Sequence, residues 1–290
     1  MACTRPQAAW LLPGGGVKIG HQEPKTTGRA DMLHLPCGKC LGCHQSRRRE
    51  WALRCQLELQ EHDHSAFATL TYRDDELPPT LQRRDLTLYI KRLRERKRSR
   101  GSAEPIRSFG CGEYGEQTAR PHYHLILFGI HPDDPAVEDA WDLGHVHSVP
   151  VTTGAIQYVA GYTSKKQQLA ERAKELGDAY DTVWDPRIKH WIKWEPPFMQ
   201  MSRRPGIGGE ARKHIHSWRS CAIYNGQRIP VPRFLHEAWK KQATPEQLEQ
   251  LKLEKITRAY GKEPITLQRL QAQETINHAK QKRSAEKRSL

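Results

Sequence analysis

The sequence predicts an α+β fold: a ferredoxin-like antiparallel sheet with helices on one face, an irregular N-terminal arm and a helical or disordered C-terminal tail. Three observations carry this expectation. Runs of β-branched, aromatic and aliphatic residues at 66–72, 105–115 and 120–128 are short and bounded by charged or glycine-containing turns, as strands are. Residues 84–100 and 155–166 read instead as helices, the first from a stripe of Leu86, Ile90 and Leu93. With a fourth strand near 190–195, the order is strand, helix, strand, strand, helix, strand, which is the ferredoxin-like order.

Each element has its own signal. Residues 1–45 are rich in Gly, Pro and Thr, show no sustained periodicity, and form an arm that holds a cysteine cluster. From Ser46 the pattern turns helical, with Trp51, Cys55 and Leu59 at i, i+4 and i+8 behind Arg47, Arg48 and Arg49. "AFATLTY" is the first strand, and "LPPT" separates it from the helix "RDLTLYIKRLRERKRSR". "PIRSFGCGEYG" is the second strand, and "QTAR" turns it into the third, "RPHYHLILFG". After an insert with "HPDDP", "AIQYVAGYTSKK" reads as a helix, although Gly161 inside it costs about 1 kcal/mol of propensity. "HWIKWEPPFMQMSRR" holds the fourth strand, at 190–195 with room to resume after Pro197. The body of the protein is thus residues 46–240, and 241–290 form a polar basic tail ending "KQKRSAEKRSL".

Composition narrows the function. Lys and Arg number 47 against 33 Asp and Glu, a net charge of +14, which points to a polyanionic partner and by default to nucleic acid. A basic membrane-surface protein is the competitor, but no apolar run nears the roughly 20 residues of a membrane span. The start "MACTRPQAAWLLPGGG" has no charged segment leading into an apolar core, so a cytoplasmic protein is expected. Seven cysteines, an odd number without an export signal, argue against a disulfide framework. Cys37, Cys40 and Cys43 in "CGKCLGC" have the tight spacing of zinc ligands, with Cys3, His34 or His44 able to supply a fourth.

The chemistry gathers on the third strand. Side chains alternate with period 2, so His122 and His124 share one face and Tyr123 and Leu125 the other. Pairing back across the turn sets Glu113 within about one residue of His122. Two imidazoles and a carboxylate accept Mg²⁺, Mn²⁺ or Zn²⁺. Glu116 is the rival carboxylate, but it sits in the turn itself. A second H-x-H, His145 and His147, has no such hairpin and reads as exposed loop histidines. Tyr158 and Tyr162, four apart, lie on one helix face, with Lys165 and Lys166 a turn further on. The lysines make Tyr162 the expected first nucleophile, since a phenol attacks poorly until a cation helps it.

"FATLTY", "RPHYHLILFG" and "YVAGYTSKK" resemble, in this order, the three motifs of the HUH superfamily of rolling-circle replication initiators and relaxases. The chain is most similar to initiators of small single-stranded-DNA phages of the gokushovirus type. That likeness rests on "MAC" at 1–3, "PCGKCLGC" at 36–43, "CGEYG" at 111–115 and "SRRPGIG" at 202–208. The resemblance implies that His122, His124 and an acidic residue hold Mg²⁺ or Mn²⁺ on a scissile phosphate. It implies that Tyr158 and Tyr162 are the nucleophiles and that Lys165 matches a lysine of the third motif. Gly161 departs from phage relatives, which often carry a basic residue there. The implied reaction nicks single-stranded DNA at an origin, leaving a 5′-phosphotyrosine and a 3′-OH for a host polymerase, with a host helicase as further partner, in the bacterial cytoplasm. The runs 47–49 and 91–100 would track the DNA backbone. Two other functions share parts of this pattern: an HUH transposase or relaxase, and a non-enzymatic nucleic-acid-binding protein stabilised by zinc.

Overall fold

The computed structural model describes residues 3–12, 16–22, 31–101, 104–162, 176–218, 221–224, 226–260 and 266–286. The chain divides into two compact units, one of Met1–Arg47 with Glu249–Leu290 and one of Arg48–Leu248. The first unit opens on three short strands, β1 (Gln7–Leu11), β2 (Val17–Ile19) and β3 (Asp31–Leu35), in the antiparallel order β2-β1-β3. The arm is therefore more ordered than its sequence suggests. Strands of three to five residues are too short to display an alternation. Next comes α1 (Leu41–Leu59), which begins inside the cysteine run and not at Ser46.

The larger unit is built on β4 (Ser65–Tyr72), α2 (Arg83–Ser99), β5 (Arg107–Tyr114), β6 (Pro121–Phe128), α3 (Pro135–Asp139), β7 (Gly144–Pro150) and α4 (Thr153–Gly161). Beyond 175 follow β8 (Thr182–Asp185), β9 (His190–Lys193), β10 (Phe198–Met201), β11 (Cys221–Tyr224), β12 (Gln227–Pro230) and α5 (Arg233–Lys240). The tail folds into α6 (Pro245–Tyr260) and α7 (Leu267–Glu286), and Arg5 meets Glu274 of α7 at 2.9 Å. No helix among the described residues is long and apolar enough to cross a membrane.

Five strands make one sheet, wholly antiparallel, in the order β10-β5-β6-β4-β7. This is the α+β class expected, an HUH-like arrangement, with three differences in detail. First, helices lie on both faces. On one, Leu86, Tyr89, Ile90 and Leu93 of α2 and Ala136 and Val137 of α3 pack on Leu70, Tyr72, Tyr123, Leu125 and Leu127. Burying each such large apolar side chain contributes about 1.5–3 kcal/mol. The phenols in this core are satisfied: Tyr72 donates to Asp85 Oδ2 at 2.7 Å, and Tyr123 donates to Gln82 O at 2.9 Å. On the other face Trp51 of α1 stacks on Phe109 at 5.2 Å, and α4 lies over β5 and β6. Gly208 lets the 202–209 loop close on α1, since a Cβ at its φ of +69° would sit 2.8 Å from Arg54 O.

Second, the residues expected as the fourth strand pair elsewhere. His190–Lys193 forms a separate hairpin with Thr182–Asp185, and Phe198–Met201 takes the sheet edge beside β5. Pro196 and Pro197 separate the two, because proline cannot supply a ladder N–H. Third, His145 and His147 are not in a loop. They are exposed residues of β7, paired with Thr71 and Thr69 of β4 at the other sheet edge.

Candidate active site

The β5–β6 hairpin sets the register Glu113↔His122 and Cys111↔His124, so all four side chains stand on the face covered by α1 and α4. Glu113 Oε1 lies 3.3 Å from His122 Nε2 and 2.9 Å from His124 Nε2. The far side of each ring is tied down. His122 Nδ1 donates to Arg120 O at 3.1 Å, and His124 Nδ1 lies 3.0 Å from Thr69 Oγ1. Those contacts orient both Nε2 atoms toward the carboxylate, as the outer hydrogen-bond partners of metal-ligating histidines do. Phe67 stacks on the His124 ring at 5.7 Å and fixes its plane. Burial would raise the Glu113 carboxyl, but hydrogen bonds with His122, His124 and Tyr158 outweigh it and hold the group down at about 2.

This donor set fits a divalent ion. Glu113, His122 and His124 each offer an atom within 4.8 Å of the others. Two ligands about 2.1 Å from one ion at right angles stand about 3.0 Å apart, close to the separations seen. Glu116, the rival carboxylate, is not part of this group.

The tyrosines arrive from above. Thr152 caps α4 by accepting from Ala155 N at 3.1 Å, and Ile156, Val159 and Ala160 bury one stripe of the helix. Tyr158 then donates to Glu113 Oε1 at 2.6 Å, with its oxygen 3.4 Å from His124 Nε2. Tyr162 donates to the Tyr158 hydroxyl at 3.0 Å. The order of proximity is thus the reverse of that expected from the lysines, and Lys165 and Lys166 lie outside the described residues. Burial, with Glu113 adding to it, raises the Tyr158 phenol well above its ordinary value. Sequence reasoning missed one neighbour: Arg48 Nε donates to Gln157 O at 2.8 Å, and its side chain lies in van der Waals reach of a Cβ built at Gly161. A cation from α1 thus stands where the sequence has none.

The other basic residues are largely engaged. In the 91–100 run, Arg92 pairs with Asp142, Lys97 with Asp134, Arg98 with Glu95, and Arg100 with Asp134 and Asp139. Lys91 and Arg96 make no ion pair among the described residues.

A second cluster lies in the smaller unit. Cys3, Cys37, Cys40 and Cys43 bring their sulfurs within 4.8 Å of one another, and neither His34 nor His44 belongs to the group. Sγ separations are 3.6 Å for Cys3–Cys37, 3.8 Å for Cys3–Cys40 and 4.0 Å for Cys37–Cys43. Tetrahedral zinc with bonds of about 2.3 Å needs sulfurs about 3.8 Å apart. Burial would raise the Cys40 thiol, but hydrogen bonds from Thr4 and Cys43 bring it down to about 6.

An antiparallel sheet carrying a carboxylate–histidine–histidine group under a tyrosine-bearing helix belongs to the HUH-like class. Comparison with known proteins narrows this. The family described as replication-associated protein ORF2 matches residues 65–167, which span β4 through α4. Replication-associated protein VP4 of Bdellovibrio phage phiMH2K is 31% identical over 268 residues, covering 85% of this chain and 79% of that protein. Replication-associated protein ORF2 of Spiroplasma virus 4 is 32% identical, covering 57% of this chain and 61% of its own length. Replication-associated protein ORF4 of Chlamydia phage 1 is 30% identical, covering 46% and 38%. No solved structure matches the chain. The chain belongs to the family of phage replication-associated proteins, in keeping with its resemblance to gokushovirus-type initiators.

Proposed function

We propose that this protein initiates replication by nicking single-stranded DNA at a phage origin through tyrosine transesterification. One observation carries the reading: Glu113 Oε1, both histidine Nε2 atoms and the Tyr158 hydroxyl converge on one point of the sheet face. Glu113, His122 and His124 would hold Mg²⁺ or Mn²⁺, which supplies Lewis-acid polarisation of a phosphate oxygen. Tyr158 is the first nucleophile, because its oxygen stands among those ligands. Its attack forms one phosphorus–oxygen bond and breaks the bond to the 3′ oxygen, which takes up a proton and leaves as a 3′-OH. The bond energy is conserved in the phosphotyrosine, so rejoining needs no ATP. Tyr162, within hydrogen-bond reach of Tyr158, cuts the regenerated origin while Tyr158 still holds the first 5′ end.

Arg48 holds α4 through Gln157 O and adds positive charge beside the tyrosines. Lys165 and Lys166 act as further phosphate contacts, and Lys91 and Arg96 track the backbone. A host polymerase extends the free 3′-OH and a host helicase opens the template, in the cytoplasm of the infected bacterium. The direct test incubates the protein with labelled single-stranded origin DNA. An adduct stable to SDS is expected with Mn²⁺ and none with excess EDTA. Adduct formation undiminished by EDTA rules out the metal.

The four cysteines hold structural Zn²⁺ in the same proposal. Freshly purified protein should carry about one zinc per chain that survives dialysis against a weak chelator. Substituting Cys40→Ser should release it. Active protein without zinc by elemental analysis would contradict the assignment.

A further inference from the structure

The β8–β9 hairpin presents an exposed aromatic pair that the proposed reaction leaves unused. Trp184 and Trp191 are direct cross-strand partners, so their indoles share one face, and they remain 44% and 58% exposed. Their rings meet edge to face, with centroids 5.7 Å apart at 67°, an arrangement that leaves indole faces open to a third planar group. Lys193, two residues from Trp191, stands on the same face, and Lys189 follows at the tip beside the exposed Ile188. The opposite face carries Val183 and Ile192 with Asp185, the hairpin's single acid between residues 182 and 193, which is buried and accepts from Arg187 N at 2.9 Å. The outward surface thus combines two indoles with lysines and no carboxylate.

The base of this hairpin is fixed next to the candidate active site. Trp194 N donates to Asp181 O at 2.7 Å and closes the hairpin. The Trp194 indole is buried and stacks on Tyr114 at 5.4 Å and 17°. Tyr114 donates to Glu195 O at 2.8 Å, and it follows Glu113 directly in β5 and pairs with Pro121 beside His122. One rigid stack therefore links the hairpin to the ligand-bearing strands.

We propose that Trp184 and Trp191 form a base-stacking platform for unpaired nucleotides of the DNA strand handled at the neighbouring site. The proposal deepens the nicking reading and rests on its substrate class. The chemistry selects the partner: planar groups with open π faces joined by a backbone of negative charge satisfy both the indoles and the lysines. Unpaired bases do this without regard to sequence, whereas paired bases keep their faces inside the duplex. Lysines 189 and 193 would contact phosphates, so salt should weaken the interaction.

The test measures binding of full-length protein to labelled oligo(dT) and to a duplex of equal length, both in EDTA so that no cleavage occurs. The double substitution W184A with W191A should weaken oligo(dT) binding about tenfold or more, with duplex binding within about twofold of wild type. W184Y with W191Y keeps aromatic faces and should recover most of the loss. In Mn²⁺, the double alanine variant should form adduct poorly at low origin DNA and normally at saturating DNA, because the indoles do not touch the reacting atoms. Oligo(dT) binding by the double alanine variant equal to wild type would overturn the platform while leaving the nicking reading intact. An equal fall in single-strand and duplex binding, or no recovery with tyrosine, would also overturn it. Wild-type protein that binds no single-stranded DNA at all would overturn both.

Discussion

Replacing Tyr158 and Tyr162 together by phenylalanine should abolish the SDS-stable DNA adduct, leaving none detectable above background. Phenylalanine keeps the ring contacts, 5.0 Å between Tyr158 and His124 and 5.2 Å between the two tyrosines, and removes only the oxygens. The single substitutions are expected to differ. Tyr158→Phe deletes the oxygen that lies 2.6 Å from Glu113, and adduct formation should fall about a hundredfold, the remainder coming from Tyr162. Tyr162→Phe deletes an oxygen that reaches the group only through Tyr158, so a simple cleavage substrate should lose no more than about tenfold. Strand rejoining, which needs both phenols, should fail in either. If the tyrosines serve packing alone, the double variant will form adduct as the wild type does.

The second large effect concerns the ligands. His122→Ala with His124→Ala should lower cleavage by about a thousandfold or more, since the phosphate then loses its polarising cation. Binding of single-stranded DNA should stay within about threefold, because basic and aromatic residues elsewhere supply it. Glu113→Gln should act almost as strongly, and added Mn²⁺ in millimolar excess should recover part of its activity but none of the double histidine variant's. His145→Ala is the control: its side chain is exposed on the edge strand β7 and is not among the grouped donors, so cleavage should change by less than about twofold. Cleavage at the wild-type rate by the double histidine variant would remove the metal assignment.

How much of this was legible in the sequence depends on how local the signal is. The period-2 alternation of "RPHYHLILFG" and the short turn before it suffice to set His122 and His124 on one face and Glu113 opposite. The tyrosine pair follows from helical spacing in the same way. The strand β7 was hidden because "GHVHSVP" has few apolar residues and ends on proline, as edge strands do. The sheet-edge strand β10 was masked by a better rival: "HWIKW" has stronger strand character than "FMQM", and only tertiary pairing decides between them. Cys3 joins Cys37, Cys40 and Cys43 across 34 residues of chain, a closure that no local spacing encodes. The same holds for Arg48, whose contact with α4 spans 109 residues. The hairpin tryptophans 184 and 191 became visible as a pair only once the register of β8 and β9 was known.

The most direct measurement of the central claim uses one origin strand labelled at either end and incubated with wild-type protein and Mn²⁺. Attack by Tyr158 on the scissile phosphorus keeps the 5′ side of the downstream fragment on the protein. The 3′-labelled strand should therefore yield a labelled adduct, which protease digestion reduces to the peptide carrying Tyr158. The 5′-labelled strand should yield a free, shortened product whose 3′-OH a polymerase extends. A labelled adduct from the 5′-labelled strand, or cleavage with no adduct from either, would contradict the mechanism.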